Sequence, residues 1–207
     1  MTHTLHRTGD IESLCSDYVW QVYPTRGVND DDLPCKYSQV IDLVVSLGSR
    51  NWGDVRTGSA RSTPVETIRA NLSESSRLRG VFTDKETVVE FIRRIRQMDT
   101  GLSVVISGLT DEIFDVCGQV DLSPHSVNLS LGVWGRTDML PPEDVLELTT
   151  MCGHHQISPN LVSEMKEAVA QGRVSREEAA EQMSRLCPCG VFNTERAVQL
   201  LSPADPS

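Results

Sequence analysis

Residues 78–107, LRGVFTDKETVVEFIRRIRQMDTGLSVVIS, decide how this chain is read. Leu78 to Phe82 is a short run of strand-forming residues. Thr83 and Glu86 follow with the spacing of a capping box, which satisfies the open amides of a helix start. Val88, Phe91, Ile92, Ile95 and Met98 then recur at helical spacing, and Gly101 closes the helix. The uncharged run 102–107 reads as a buried strand.

The pattern continues on the C-terminal side. Residues 109–118 read as a helix capped by Thr110 or Asp111, and 127–134 as a further strand. Strand and helix in alternation predict an α/β fold, with a small mixed or largely parallel sheet and flanking helices. On the N-terminal side, residues 2–8 read as an extended arm. Asp10 caps a helix carrying Ile11, Leu14, Cys15, Tyr18, Val19 and Val22, which Pro24 stops. A second helix runs from about Pro34 to Gly48. Residues 49–80 are rich in Ser, Arg, Gly and Thr and read as irregular, with a short helix after Thr63-Pro64-Val65-Glu66.

From Pro141 the signals are helical only. Pro141-Pro142-Glu143 starts one helix and Ser158-Pro159 another. Ser175 with Glu178 starts a third, and Asn193 caps the last. The tail from Ser202 reads as frayed. Residues 1–140 are therefore expected to form an α/β domain, with an irregular Arg/Ser/Gly-rich segment at 49–80. Residues 141–207 are expected to form an all-helical subdomain.

The chemistry concentrates in that helical part. Cys152-Gly153-His154-His155 and Cys187-Pro188-Cys189-Gly190 hold three of the six cysteines and two of the five histidines. Thiolates and imidazoles are the ligands of zinc and iron–sulfur sites. Each run falls in a turn after a predicted helix. Alternate turns of an up-and-down helical array lie at the same end. Cys152, His154, His155, Cys187 and Cys189 are thus expected to meet, and are read as metal ligands. An iron–sulfur cluster is the preferred occupant and zinc the alternative, because CxC is a tight chelate for zinc, where two to four intervening residues are usual. A metal-free dithiol enzyme using the CxC pair also fits, with a histidine lowering a thiol pKa. So does an adaptor protein with a structural zinc site. The sequence does not decide whether the chain is an enzyme.

The remaining candidates are less concentrated. About half of the 19 cationic residues lie between Arg50 and Arg96. Arg56 and Arg61 are read as a weak site for an anionic small molecule or an acidic protein partner. His3, His6 and Arg7 are read as an arm lying over the C-terminal site. Cys15 and Cys117 read as buried structural thiols, and Cys35 as a thiol at a helix N-terminus.

The chain has 207 residues, 39% hydrophobic and 23% charged, enough for a core without covalent staples. Its net charge of −10 disfavours nucleic acid and anionic membrane surfaces. No apolar run reaches membrane-spanning length, and the first residues lack the apolar core of a secretory leader, so the chain is read as cytoplasmic. In a reducing compartment its cysteines are buried, reactive or metal-bound rather than bridged. Homodimerisation is left open. GxGxxG, P-loop, GxSxG and HExxH patterns do not occur.

Overall fold

The computed structural model describes residues 4–201. The readings of His3 and of the tail from Ser202 lie outside them. The class is mixed α/β, with a five-stranded sheet ordered β3-β2-β4-β1-β5. The strands are β1 (Tyr18–Tyr23), β2 (Asn51–Asp54), β3 (Gly58–Ser59), β4 (Leu78–Phe82) and β5 (Ser103–Ser107). Every neighbouring pair is antiparallel, which corrects the expectation of a largely parallel sheet.

The reason for the difference is local. β4 and β5, joined by helix α4 (Lys85–Met98), do run in the same direction, as a strand-helix-strand unit should. They are not neighbours, because β1 lies between them and pairs antiparallel with both. The helical spacing from Ile11 to Val22 predicts a helix over the residues of β1. The helix there is only α1 (Ile11–Leu14), and YVWQVY, rich in aromatic and β-branched residues, forms the central strand. The segment 49–80 is likewise more ordered than its composition implies, since it holds β2, β3 and α3 (Val65–Ala70).

The side-chain alternation of β1 assigns the two faces of the sheet. Tyr18, Trp20 and Val22 enter one core with Phe82, Phe91 and the apolar side of α2 (Leu33–Ser46). Trp20, Phe82 and Phe91 pack there with ring centroids 5.3–6.2 Å apart. Gly80 sits opposite Trp20, and a Cβ on it would stand 2.6 Å from the indole ring. The strand therefore needs glycine at that position.

Val19 faces the other way and joins a second core built from the C-terminal helices. These are α6 (Glu143–Thr149), α7 (Pro159–Ala170), α8 (Arg176–Ser184) and α9 (Thr194–Leu200). Ser158, Ser175 and Asn193 cap α7, α8 and α9 by accepting from the amides of Leu161, Glu178 and Arg196. Helix α5 (Thr110–Gly118) follows β5. The run 127–134, expected as a strand, has no strand partner among the described residues and is exposed throughout. β5 itself is half-buried and lies at the edge of the sheet, not in its interior. Among the described residues, no helix is long and apolar enough to cross a membrane.

Candidate metal centre

Two turns carry the thiols. The first follows α6. There the Cys152 amide donates to the Thr149 carbonyl, and the His155 amide donates to the Cys152 carbonyl at 2.9 Å. The second follows α8, where the Gly190 amide donates to the Cys187 carbonyl at 3.2 Å. Gly190 has φ +72°, and a Cβ on it would stand 2.2 Å from the carbonyl carbon of Trp52. The CxC turn is thus pressed onto the backbone of β2. Asn51, on the same strand, donates to the Phe192 carbonyl at 3.1 Å and holds the exit of the turn.

Arg7 joins the two turns from the N-terminal side. Its guanidinium donates to the carbonyl of Met151, just before Cys152, and to that of Val191, two residues after Cys189. It also pairs with Asp17, which is buried. Arg196, fully buried, donates to the same carboxylate at 3.1 Å and to the Thr8 carbonyl at 2.6 Å. Asn193 adds a third donor to Asp17. Two cations on one buried carboxylate, with carbonyls taking further donors, meet the condition for keeping charge inside a protein.

The sulfurs themselves are gathered. Cys152, Cys187 and Cys189 are each fully buried and unbridged. Cys187 Sγ lies 3.8 Å from Cys189 Sγ, and Cys189 Sγ lies 3.7 Å from His154 Nδ1. Cys152 lies close enough to Cys187 for the two thiols to shift each other's ionisation. His154 is at the surface end of the cluster. His155 has φ +54° and is exposed, and its side chain makes no hydrogen bond to the cluster among the described residues.

Cys187 is the proton holder of the trio. Bonded to both other thiols and buried, it is pushed well above the usual thiol range. The bond from Cys187 lowers Cys189 to about 5, with help from the Val191 amide, His154 and the Arg79 charge. The same bond lowers Cys152 to about 6, aided by the His154 and Gln156 amides. With Cys152 and Cys189 pushed down and Cys187 pushed up, the pocket favours ionised sulfur at the two lowered positions, and amide donors on sulfur are the usual outer support of metal thiolates.

A size test follows from bond lengths. Two sulfurs about 2.3 Å from one tetrahedral zinc stand about 3.8 Å apart, and a sulfur and an imidazole nitrogen about 3.6 Å apart. The observed separations, 3.8 and 3.7 Å, match those two edges. As the side chains stand, however, no group of three or more His, Cys, Asp or Glu among the described residues is disposed to hold an ion. The two edges suit one ion, while the full shell needs side-chain adjustment in exchange for the Cys187 proton.

The other candidates lie apart from this cluster. Arg56 donates to Ser75, and Arg61 pairs with Glu181 and donates to the Arg50 carbonyl. Arg61 lines an open groove with Glu177, Glu181 and Glu195, so carboxylates already meet its charge. Cys15 and Cys117 are half-buried, and Cys35 is exposed on the first turn of α2. Asp17 and Asn51 support the site and have no signal in the sequence that marks them, whereas Gly190 is marked by its place in the CPCG run. The burial of Asp17 as the common acceptor of Arg7 and Arg196 has no local signature. No protein-family profile, curated protein or solved structure matches this chain.

Proposed function

We propose that this chain is a metal-binding protein that holds one tetrahedral ion, zinc first, with thiolates of Cys152, Cys187 and Cys189 and Nδ1 of His154. The observation that carries the reading is the pair of donor separations, 3.8 and 3.7 Å, which are edges of a single-ion tetrahedron. They also weigh against the cubane form of the iron–sulfur occupant preferred from sequence, though not against a [2Fe–2S] centre, where two ligands share one iron. A cubane puts each thiolate on a separate iron, so its sulfurs stand farther apart than the ligands of one ion.

The role that fits best is a structural clamp, in line with the adaptor alternative. A closed four-ligand shell of three cysteines and one histidine is the structural type of zinc site. This one would fasten the turns after α6 and α8 to each other and, through Gly190 and Trp52, to the sheet. His154 is the solvent-facing ligand and the point of metal entry.

The test is elemental analysis of the full chain purified without chelator, followed by cobalt substitution. The reading expects one zinc per chain. It expects a tetrahedral cobalt spectrum whose sulfur-to-cobalt charge-transfer band weakens by about a third in Cys152→Ser. A brown, iron-containing protein would overturn the choice of ion. A metal-free protein with rapidly titrating thiols would favour the dithiol reading.

A further inference from the structure

Between α5 and α6 the chain leaves the body of the protein. Every residue from 121 to 140 is exposed, and only a 3-10 turn, Thr137–Met139, is regular. The segment is not polar. Val127, Leu129, Leu131 and Val133 alternate with Asn128, Ser130 and Gly132, and Trp134 follows. Leu131 is 85% and Trp134 81% exposed. Strict alternation of this kind belongs to a strand with one covered face. The side-chain hydrogen bonds it makes stay within it: Ser130 accepts from the Gly132 amide, and Trp134 donates to the Leu131 carbonyl.

The sheet has an open edge of matching character. Among the described residues the backbone of β5 is paired on one side only, to β1, and at its end the Ser107 hydroxyl meets that of Thr4 at 2.8 Å. Its Val104, Val105 and Ile106 are half-buried, and residues 102–110 contain no Asp, Glu, Lys or Arg. Edge strands are normally guarded by charge, proline or shortness. The opposite edge, β3, is two residues long and is guarded in that way. β5 is not.

We propose that residues 127–134 of one copy add as a strand to the β5 edge of a second copy, the two copies exchanging arms. The chain's net charge of −10 repels copies in general, but residues 122–135 and 102–110 carry none of it. Five large apolar side chains on each arm expose on the order of 600 Å², at the upper end of what a monomer leaves uncovered. Covering two such arms removes on the order of 1,200 Å² before the edge strands themselves are counted, the lower bound of a stable interface. The inference does not depend on the metal.

The experiment uses the full chain and its double variant Leu129→Lys/Leu131→Lys, whose altered side chains are exposed and carry no part of the core. Sedimentation at micromolar concentration is expected to give twice the chain mass for the parent and once for the variant. Hydrogen exchange is expected to show β5 amides protected in the parent and at least tenfold faster in the variant. A monomeric parent overturns the proposal, and if its β5 amides are protected the arm has folded onto its own sheet. A dimer that survives the double variant, or one whose β5 amides are unprotected, also overturns it.

Discussion

Cys187 governs the proton content of the thiol cluster, since its bonds depress Cys152 and Cys189 while its own thiol is raised. Removing that donor in Cys187→Ala should return both neighbours toward the ordinary thiol range. Thiolate ultraviolet absorbance of the metal-free variant would then appear only at higher pH than in the parent, and an unchanged profile would contradict the assignment. The sign for metal capture follows. A depressed thiol is fully ionised at high pH and protonates as pH falls through its folded value. Zinc affinity measured by chelator competition should therefore decline on acidification from about 7 to about 5, as Cys152 and then Cys189 take up protons. At this scale the sequence was informative. The ligand types and the CxH and CxC spacings were on its surface, whereas the choice between His154 and His155 was not. It is decided by the fold, which sets His154 Nδ1 beside Cys189 and leaves His155 exposed at a left-handed backbone position.

The elements that carry these residues are held by contacts remote in sequence. Arg7 binds the carbonyls beside both thiol-bearing turns, so Arg7→Met should weaken zinc binding by about 10–100-fold, the usual effect of removing an outer-shell partner. Equal affinity in the variant would show that the turns are preformed without it. Gly190→Ala meets both a positive φ and the Trp52 backbone, and should lower stability by more than about 1 kcal/mol in denaturant melts of the metal-free chain. Several helices were legible because their caps are local chemistry, although α3 and α5 start at Pro64 and Leu109 without the side-chain caps expected at Thr63 and at Thr110 or Asp111. Asp10, Ser158, Ser175 and Asn193 all accept from the expected amide. At α4 the cap shifts one residue, from Thr83 to Asp84, whose carboxylate accepts from Thr87. β1 was illegible for the opposite reason. Its apolar residues continue the helical spacing of α1, and only the density of aromatic and β-branched side chains marks the change to a strand.

At the scale of the whole molecule, the sheet separates two cores, and the proposed centre lies in the one formed by the C-terminal helices. The α/β class was readable from local periodicity, but strand order was not. Order depends on which distant segment inserts between β4 and β5, and that is decided by β1 and its pairing, over separations no local pattern reports. A metal that joins two turns and the sheet should stabilise the fold as a unit. Free zinc at about 100 times its dissociation constant adds about 2.7 kcal/mol. For a chain of this size, at about 2–4 °C per kcal/mol, the thermal midpoint should rise by about 5–10 °C over the chelator-treated protein. No shift would mean that the site does not couple to folding. The most direct test of the account is X-ray absorption at the zinc edge on the loaded chain. It should report three sulfurs at about 2.3 Å and one nitrogen at about 2.0–2.1 Å, with the nitrogen lost in His154→Ala. A shell of oxygen and nitrogen alone, or no zinc retained at all, would contradict it.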